Sequence, residues 1–348
     1  MKKILVCFDG TSNRPEDADP RLDDAGALED ENITNVLKLH LLAWGQLGQV
    51  SLYFAGPGTR GGTLRRMIES AFAPASLRAI RDRALDQLRE VYQPGDSICV
   101  FGFSRGAAIA RRFVSRLQTL GLASDKKGSV PGKPIPVAFL GVWDTVLSQG
   151  LPEKDDVARD PVKLDERNGL GAGVSRVVHL VSIDDPRLVF TPTLFPPDDR
   201  VTEVWFAGVH SDVGGGYRQA GLSDLALEFM MNQAKAEAGL SFANPDEIDP
   251  SPATDGMVEK DDLAMASSPD AADHAGIFKK FVKEFSNALG PRRVMALRGG
   301  VPMIHPSVVE RGKLRRDYRP EGLDGVRHSV WNRPDVEYDS FSSHFSDA

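Results

Sequence analysis

A serine set in Gly102-Phe103-Ser104-Arg105-Gly106 is the group with the clearest chemical promise in this chain of 348 residues. The apolar run Ile98 to Phe101 before it is of the kind that forms a buried strand. Behind it, Ile109, Phe113, Leu117 and Leu120 recur at helical spacing as far as Gly121, a natural C-cap. Strand, G-x-S-x-G and helix in immediate succession describe a nucleophile elbow. Small residues beside Ser104 let the backbone take a strained turn that pushes the hydroxyl out at the top of a sheet. The helix aims its N-terminal N–H groups at the same point, where an oxyanion would form. The bare pattern also arises by chance in a chain with 33 glycines, so the flanking strand and helix carry the reading.

A serine hydroxyl needs a base within hydrogen-bond reach and an anion to orient that base. Three of six predicted strands end in a residue suited to one role: Ser104, Asp144 and His210. In a parallel sheet those ends share the C-terminal edge, where open α/β sheets build their sites. The order Ser, Asp, His is that of the α/β-hydrolases. On this reading His210 takes the serine proton and returns it to the leaving group, while Asp144 fixes the imidazole tautomer. Spacing alone does not separate Asp144 from Asp184 and Asp185, which end the next strand. His305 is the alternative base, His179 a mid-strand core histidine, and Asp212 a turn residue or cation ligand.

The first oxyanion donor would be the N–H of Arg105, and the second that of Gly10 or Thr11, in the loop after the first strand. Asp9 would brace that loop. Phe103, Arg105 and Tyr217 are the candidate substrate-contacting side chains. For Arg105, the alternatives are an anionic substrate group and an acidic surface partner.

The elements that must position these groups are legible as alternating apolar runs. Predicted strands are Lys3–Phe8, Val50–Phe54, Ile98–Phe101, Ile135–Val142, Arg176–Ile183 and Glu203–Val209, with helices at Asn32–Trp44, Ser76–Tyr92, after the elbow, and at Ser223–Ala238. The alternation predicts a mostly parallel central sheet with helices on both faces and loop insertions. Arg14–Glu31 reads as an acidic surface loop and Gln149–Gly173 as an excursion over the active face. Residues 1–240 form the expected core and 241–275 an acidic mobile insertion. Residues 276–348 are expected to pack on the core as a helix (Ile277–Leu289) and an irregular segment.

Composition narrows the function classes. A net charge of -7 argues against a nucleic-acid partner. Cys7 and Cys99 both lie in apolar runs and read as buried thiols suited to a reducing compartment. The apolar run after Met1-Lys2-Lys3 stops at Asp9, too short for a secretory signal, and no run is long enough to span a membrane. A cytoplasmic chain is expected, soluble when made, that leaves the cell, if at all, without such a signal. No metal or cofactor is implied.

Four motifs carry a resemblance: Phe8-Asp9-Gly10-Thr11 with Asn13, Gly102 to Ala107, Gly141 to Val146, and Gly208 to Tyr217, with Ile304 to Val308 also similar. Together they resemble an α/β-hydrolase domain family of largely unknown function that includes the type VI secretion phospholipase effectors. The resemblance implies the α/β-hydrolase fold itself, with Ser104 as nucleophile, Asp144 as acid and His210 as base. It further implies a lipase or phospholipase-like esterase of bacterial origin, an ester or phospholipid substrate, and a secretion-system or immunity partner. An esterase for a soluble non-lipid ester and a catalytically idle scaffold are the rival readings; the intact Ser, Asp and His argue against the scaffold. Phe8-Asp9-Gly10-Thr11 also suggests the D-x-D-G-T opening of aspartyl phosphatases, but the required aspartate position holds Cys7.

Overall fold

The apolar run at Lys3–Phe8 sends Leu5 and Cys7 to one side and Ile4, Val6 and Phe8 to the other, all fully buried. A strand covered on both faces needs no polar alternation, which is why it reads as continuous. The structure is a computed structural model and describes residues 1–10, 19–22, 28–31, 33–56, 74–122, 132–147, 170–217, 221–243, 290–315 and 317–345.

In chain order the strands are β1 (Lys3–Phe8), β2 (Asp19–Leu22), β3 (Leu28–Glu31), β4 (Gln49–Phe54), β5 (Ser97–Phe103), β6 (Val137–Trp143), β7 (Val174–Ser182), β8 (Val201–Phe206), β9 (Met303–Ile304), β10 (His328–Val330) and β11 (Arg333–Tyr338). The helices that matter here are α1 (Asn35–Ala43), α2 (Pro74–Val91), α3 (Arg105–Leu120), α4 (His210–Gly214), α5 (Gly221–Ala238) and α6 (Pro306–Leu314). Nine strands form one sheet in the order β11-β10-β9-β8-β7-β6-β5-β1-β4, parallel throughout except for the β10–β11 pair. The architecture is an α/β-hydrolase fold. One face packs β residues against α1 and α5, the other against α2 and α3.

The direction in which successive strands are added to the sheet reverses between β1 and β5, which run parallel: β4 lies beyond β1 on one side, while β5 to β8 step away on the other. In open α/β sheets the crevice beyond such a switch point collects ligands. Asp9 and Ser104 follow the two strands that flank it.

Three features depart from the sequence expectation. The stretch read as the loop Arg14–Glu31 contains the antiparallel pair β2–β3. The strand expected over Glu203–Val209 stops at Phe206, and His210 opens the short helix α4 rather than ending the strand, with the Val209 N–H donating to Asp212 Oδ2 at 2.8 Å. The C-terminal segment, expected to be irregular, instead adds β9, β10 and β11 to the sheet and builds a third core of Val181, Trp205, Ile304, Val308 and Leu323. The proposed helix Ile277–Leu289, residues 244–275 of the proposed insertion, and most of the proposed excursion lie outside the described residues.

Candidate active site

Ser104 sits immediately beyond β5 with φ 58° and ψ -120°, in the positive-φ region that side chains rarely occupy. Its N–H donates to the Trp143 carbonyl at 3.0 Å, tying the turn to the end of β6. Close packing behind the turn requires glycine: a Cβ on Gly106 would lie 2.2 Å from the Phe8 carbonyl oxygen. Asp144, the first residue past β6, also has positive φ, at 38°. Among the described residues only Ser104, Asp144 and Arg298 combine positive φ with a side chain. Strain of this kind persists where surrounding structure over-determines it, and two of the three cases stand side by side at one sheet edge.

The Asp144 carboxylate leans across the end of β7. Oδ1 and Oδ2 accept from the N–H and Oγ of Ser182, each at 3.1 Å. Oδ2 also accepts from Nδ1 of His210 at 2.6 Å. Burial on its own would raise this carboxyl, but the Arg292 guanidinium and the bond to His210 outweigh it and hold Asp144 below the usual carboxylate range. An ionised carboxylate only accepts, so the ring proton belongs on Nδ1 and the lone pair on Nε2. Nε2 is buried and has no hydrogen-bond partner among the described residues. Burial lowers the imidazole pKa below 6.5; the Asp144 bond and charge oppose the shift without cancelling it.

The imidazole is also clamped through its faces. Phe103 and Phe190 each place a ring centroid 4.6 Å from that of His210. Arg187 lies 4.0 Å above the Phe190 ring and is paired with Asp185. Behind Phe103, a Cβ on Gly214 would fall 2.0 Å from its Cε2, so only glycine lets this ring approach.

Asp184 and Asp185 serve the backbone of the same loop. Asp185 Oδ2 accepts the N–H of His210 at 3.0 Å, and Asp184 Oδ2 accepts that of Gly208 at 2.7 Å and the Tyr318 hydroxyl at 2.9 Å. Neither carboxylate bonds to the imidazole; Asp144 does. His305 caps α6, its Nδ1 bonded to the Ser307 hydroxyl at 2.8 Å and its ring stacked 4.3 Å from Phe206. His179 is a fully buried strand histidine, bonded to Glu203 and to the N–H of Thr145.

Of the other predicted positions, Arg105 is 7% exposed, so it is not a surface group; burial lowers its pKa to about 10. The Gly10 N–H donates to the Asp9 carboxylate at 2.6 Å, so serving an oxyanion through Gly10 would require giving up that bond. Asp9 braces its loop as expected, accepting from Thr34 Oγ1 and the Tyr53 hydroxyl, with burial raising its pKa to about 6. Tyr217 is half-buried beside Ser211 and Arg187, and Thr11 lies outside the described residues.

Sequence reasoning missed Phe190 and Arg292. Arg292 Nη1 lies 2.7 and 2.9 Å from the two Asp144 oxygens, and Nη2 donates to the Phe190 carbonyl at 2.5 Å. Neither residue belongs to a motif or a periodic run.

Comparison with known proteins gives a family match. A family model described as the catalytic domain of Tle1-like phospholipase effectors of the T6SS, the type VI secretion system, matches residues 2–131 and 125–233. An uncharacterized protein of Saccharomyces cerevisiae is 33% identical over 247 residues, 56% of this chain and 33% of that protein. Among solved structures, an uncharacterized protein from Pseudomonas aeruginosa superposes with a TM-score of 0.46 at 21% identity, over 81% of this chain and 51% of that one. The Tle1 effector bound to the VgrG spike of the type VI secretion system gives 0.39 at 22% identity, over 62% and 51%. The chain thus spans a third of the yeast relative and about half of each of these solved chains. None of the described helices is long and apolar enough to cross a membrane.

Proposed function

The chain belongs to the family of Tle1-like phospholipase effector catalytic domains of the type VI secretion system, and on that footing we propose that it is a serine hydrolase cleaving carboxylic esters through an acyl-enzyme. Ser104 is the nucleophile, His210 the base and Asp144 the acid. Ser104 Oγ attacks the ester carbonyl as His210 Nε2 takes its proton. The imidazolium then protonates the leaving alkoxide, and water repeats the sequence in reverse to release the acid. The oxyanion is met by the Arg105 N–H at the start of α3.

The observation that supports this reading best is the 2.6 Å bond between the Asp144 carboxylate and Nδ1 of His210, which leaves Nε2 for proton transfer. The elbow geometry of Ser104, on the strand next to that of Asp144, adds to it. Phospholipid is the proposed substrate class, delivery through a type VI secretion machine the proposed route, and a protein of that machine or an immunity protein the proposed partner. The family match is what supports all three.

A fluorophosphonate probe should label Ser104, and phospholipid and p-nitrophenyl ester hydrolysis should fall by about four orders of magnitude or more in Ser104→Ala. Mass spectrometry of the lipid products would name the bond cut. Labelling elsewhere, or turnover retained in Ser104→Ala, would remove the nucleophile assignment.

A further inference from the structure

Arg292 stands beyond the residues matched by the family, yet its guanidinium lies within the pair that this reading treats as base and acid. Its side chain is 3% exposed and that of Asp144 is wholly buried. Nη1 contacts both carboxylate oxygens, the Ser182 hydroxyl and, at 3.0 Å, the Ser182 carbonyl. Nη2 reaches the carbonyl of Phe190, whose ring lies against the imidazole. One planar group therefore holds the two separate supports of His210: the carboxylate that takes its ring N–H, and the residue that stacks on its face. A lysine ammonium, a point charge on a flexible stem, does not reproduce that fork.

Charge gives the guanidinium a second effect. The charged groups packed around the imidazole are Asp144 after β6, Asp185 and Arg187 after β7, and Arg292 from the C-terminal segment, with Asp212 on its own helix tied to the Val209 N–H. Asp185 is neutralised by Arg187, and Asp144 by Arg292. With Arg292 present, the buried carboxylate has a permanent counter-ion and needs no proton on the ring. Without it, one negative charge stays buried and protonating the imidazole is the nearest remedy. We propose that Arg292 is a positioning residue for His210, holding Asp144 and Phe190 in register around the ring and keeping the ring in its neutral, proton-accepting form. The inference rests on the reading of His210 as the general base.

The test compares wild type with Arg292→Gln and Arg292→Lys. The His210 midpoint is followed by NMR of labelled imidazoles, assigned with His210→Gln, and kcat/KM for a p-nitrophenyl ester is followed against pH. In Arg292→Gln the His210 midpoint should rise by about one pH unit, carrying the acid limb of the profile with it. In Arg292→Lys the midpoint should stay near that of wild type while kcat falls tenfold or more, because the charge remains and the fork is lost. A folded Arg292→Gln with an unmoved midpoint overturns the charge argument, and Arg292→Lys with wild-type kcat overturns the positioning argument. Should Arg292→Gln fail to fold, the lysine variant still decides the positioning argument, and wild-type kcat there overturns the proposal. Failure of the hydrolase reading looks different: wild type would not label at Ser104, while the NMR midpoint would still respond to Arg292.

Discussion

Asp144 accepts the ring N–H of His210 across the end of β7, a strand that carries neither residue. The aspartates that do follow β7, Asp184 and Asp185, turn to the backbone N–H groups of Gly208 and His210. Three carboxylates therefore hold one histidine, one by its ring and two by its loop, and the ring contact alone fixes a tautomer. Asp144→Asn should lower kcat by about 10⁴, the scale expected when a base is left in the wrong tautomer. Asp185→Asn keeps an oxygen for the His210 N–H and should cost far less, and Asp184→Asn less again. Steady-state rates on purified variants, with thermal midpoints measured alongside, decide the ranking. If Asp185→Asn proves the more damaging, the acid belongs to β7.

Gly214 sets how closely Phe103 approaches His210. A methyl group there would sit 2.0 Å from Phe103 Cε2, and the displaced ring would push on an imidazole whose centroid is 4.6 Å away. Misplacing a reacting group by about 1 Å can cost on the order of a hundredfold in rate. Gly214→Ala should show a kcat loss of that order with KM little changed. Adding Phe103→Leu to it should restore part of the loss, since the smaller side chain yields the space. Equal kcat in wild type and Gly214→Ala would mean that Phe103 does not position the base.

How much of this was readable in advance follows from what each residue depends on. The strands β1 and β5 to β8 lie in the interior of one sheet, with β4 at its edge, and each appears as an apolar run; Ser104 and Asp144 directly follow β5 and β6, and His210 follows β8 after the short link Ala207–Val209. That is why Ser104, Asp144 and His210 could be named together. β2 and β3 read DPRL and LEDE, with proline and charge where a strand signal would be apolar, and β9 and β10 hold two and three residues, too few for any period. Arg292 sits in Gly290-Pro291-Arg292-Arg293-Val294, where nothing local separates a buried arginine from a solvated one. Its role comes from the return of the C-terminal segment to the sheet edge, a tertiary event with no sequence period of its own.

The pH profile follows from the direction in which burial moves His210. Its pKa is lowered from 6.5, so the neutral, proton-accepting ring persists below that pH. Only a neutral imidazole can accept a proton, so with His210 as the proposed base kcat/KM should stay level as pH falls through 6.5 and drop only at lower pH. The measurement is kcat/KM from pH 4 to 9 with a neutral ester, so that no substrate group titrates. An acid limb centred above 7 would mean that the Asp144 charge outweighs burial at the ring.

Lys38 on α1 and Asp224 on α5 form an ion pair of 2.7 Å with both side chains fully buried. Beside it, Asn35 Nδ2 donates to the carbonyls of Val213 and Ser223, so α1 is tied both to the helix carrying His210 and to the helix that follows. Desolvating two charges offsets much of their mutual attraction, yet removing one strands the other in a low-dielectric interior. Lys38→Met should therefore destabilise the fold by about 3–5 kcal/mol, read as a lower urea midpoint at unchanged m. Replacing both, as Lys38→Met with Asp224→Leu, removes the stranded charge and should recover most of that loss. If the double variant were as unstable as the single, the pair would be contributing net attraction rather than mutual neutralisation. Activity in the single variant should track the folded fraction, since neither residue contacts the imidazole.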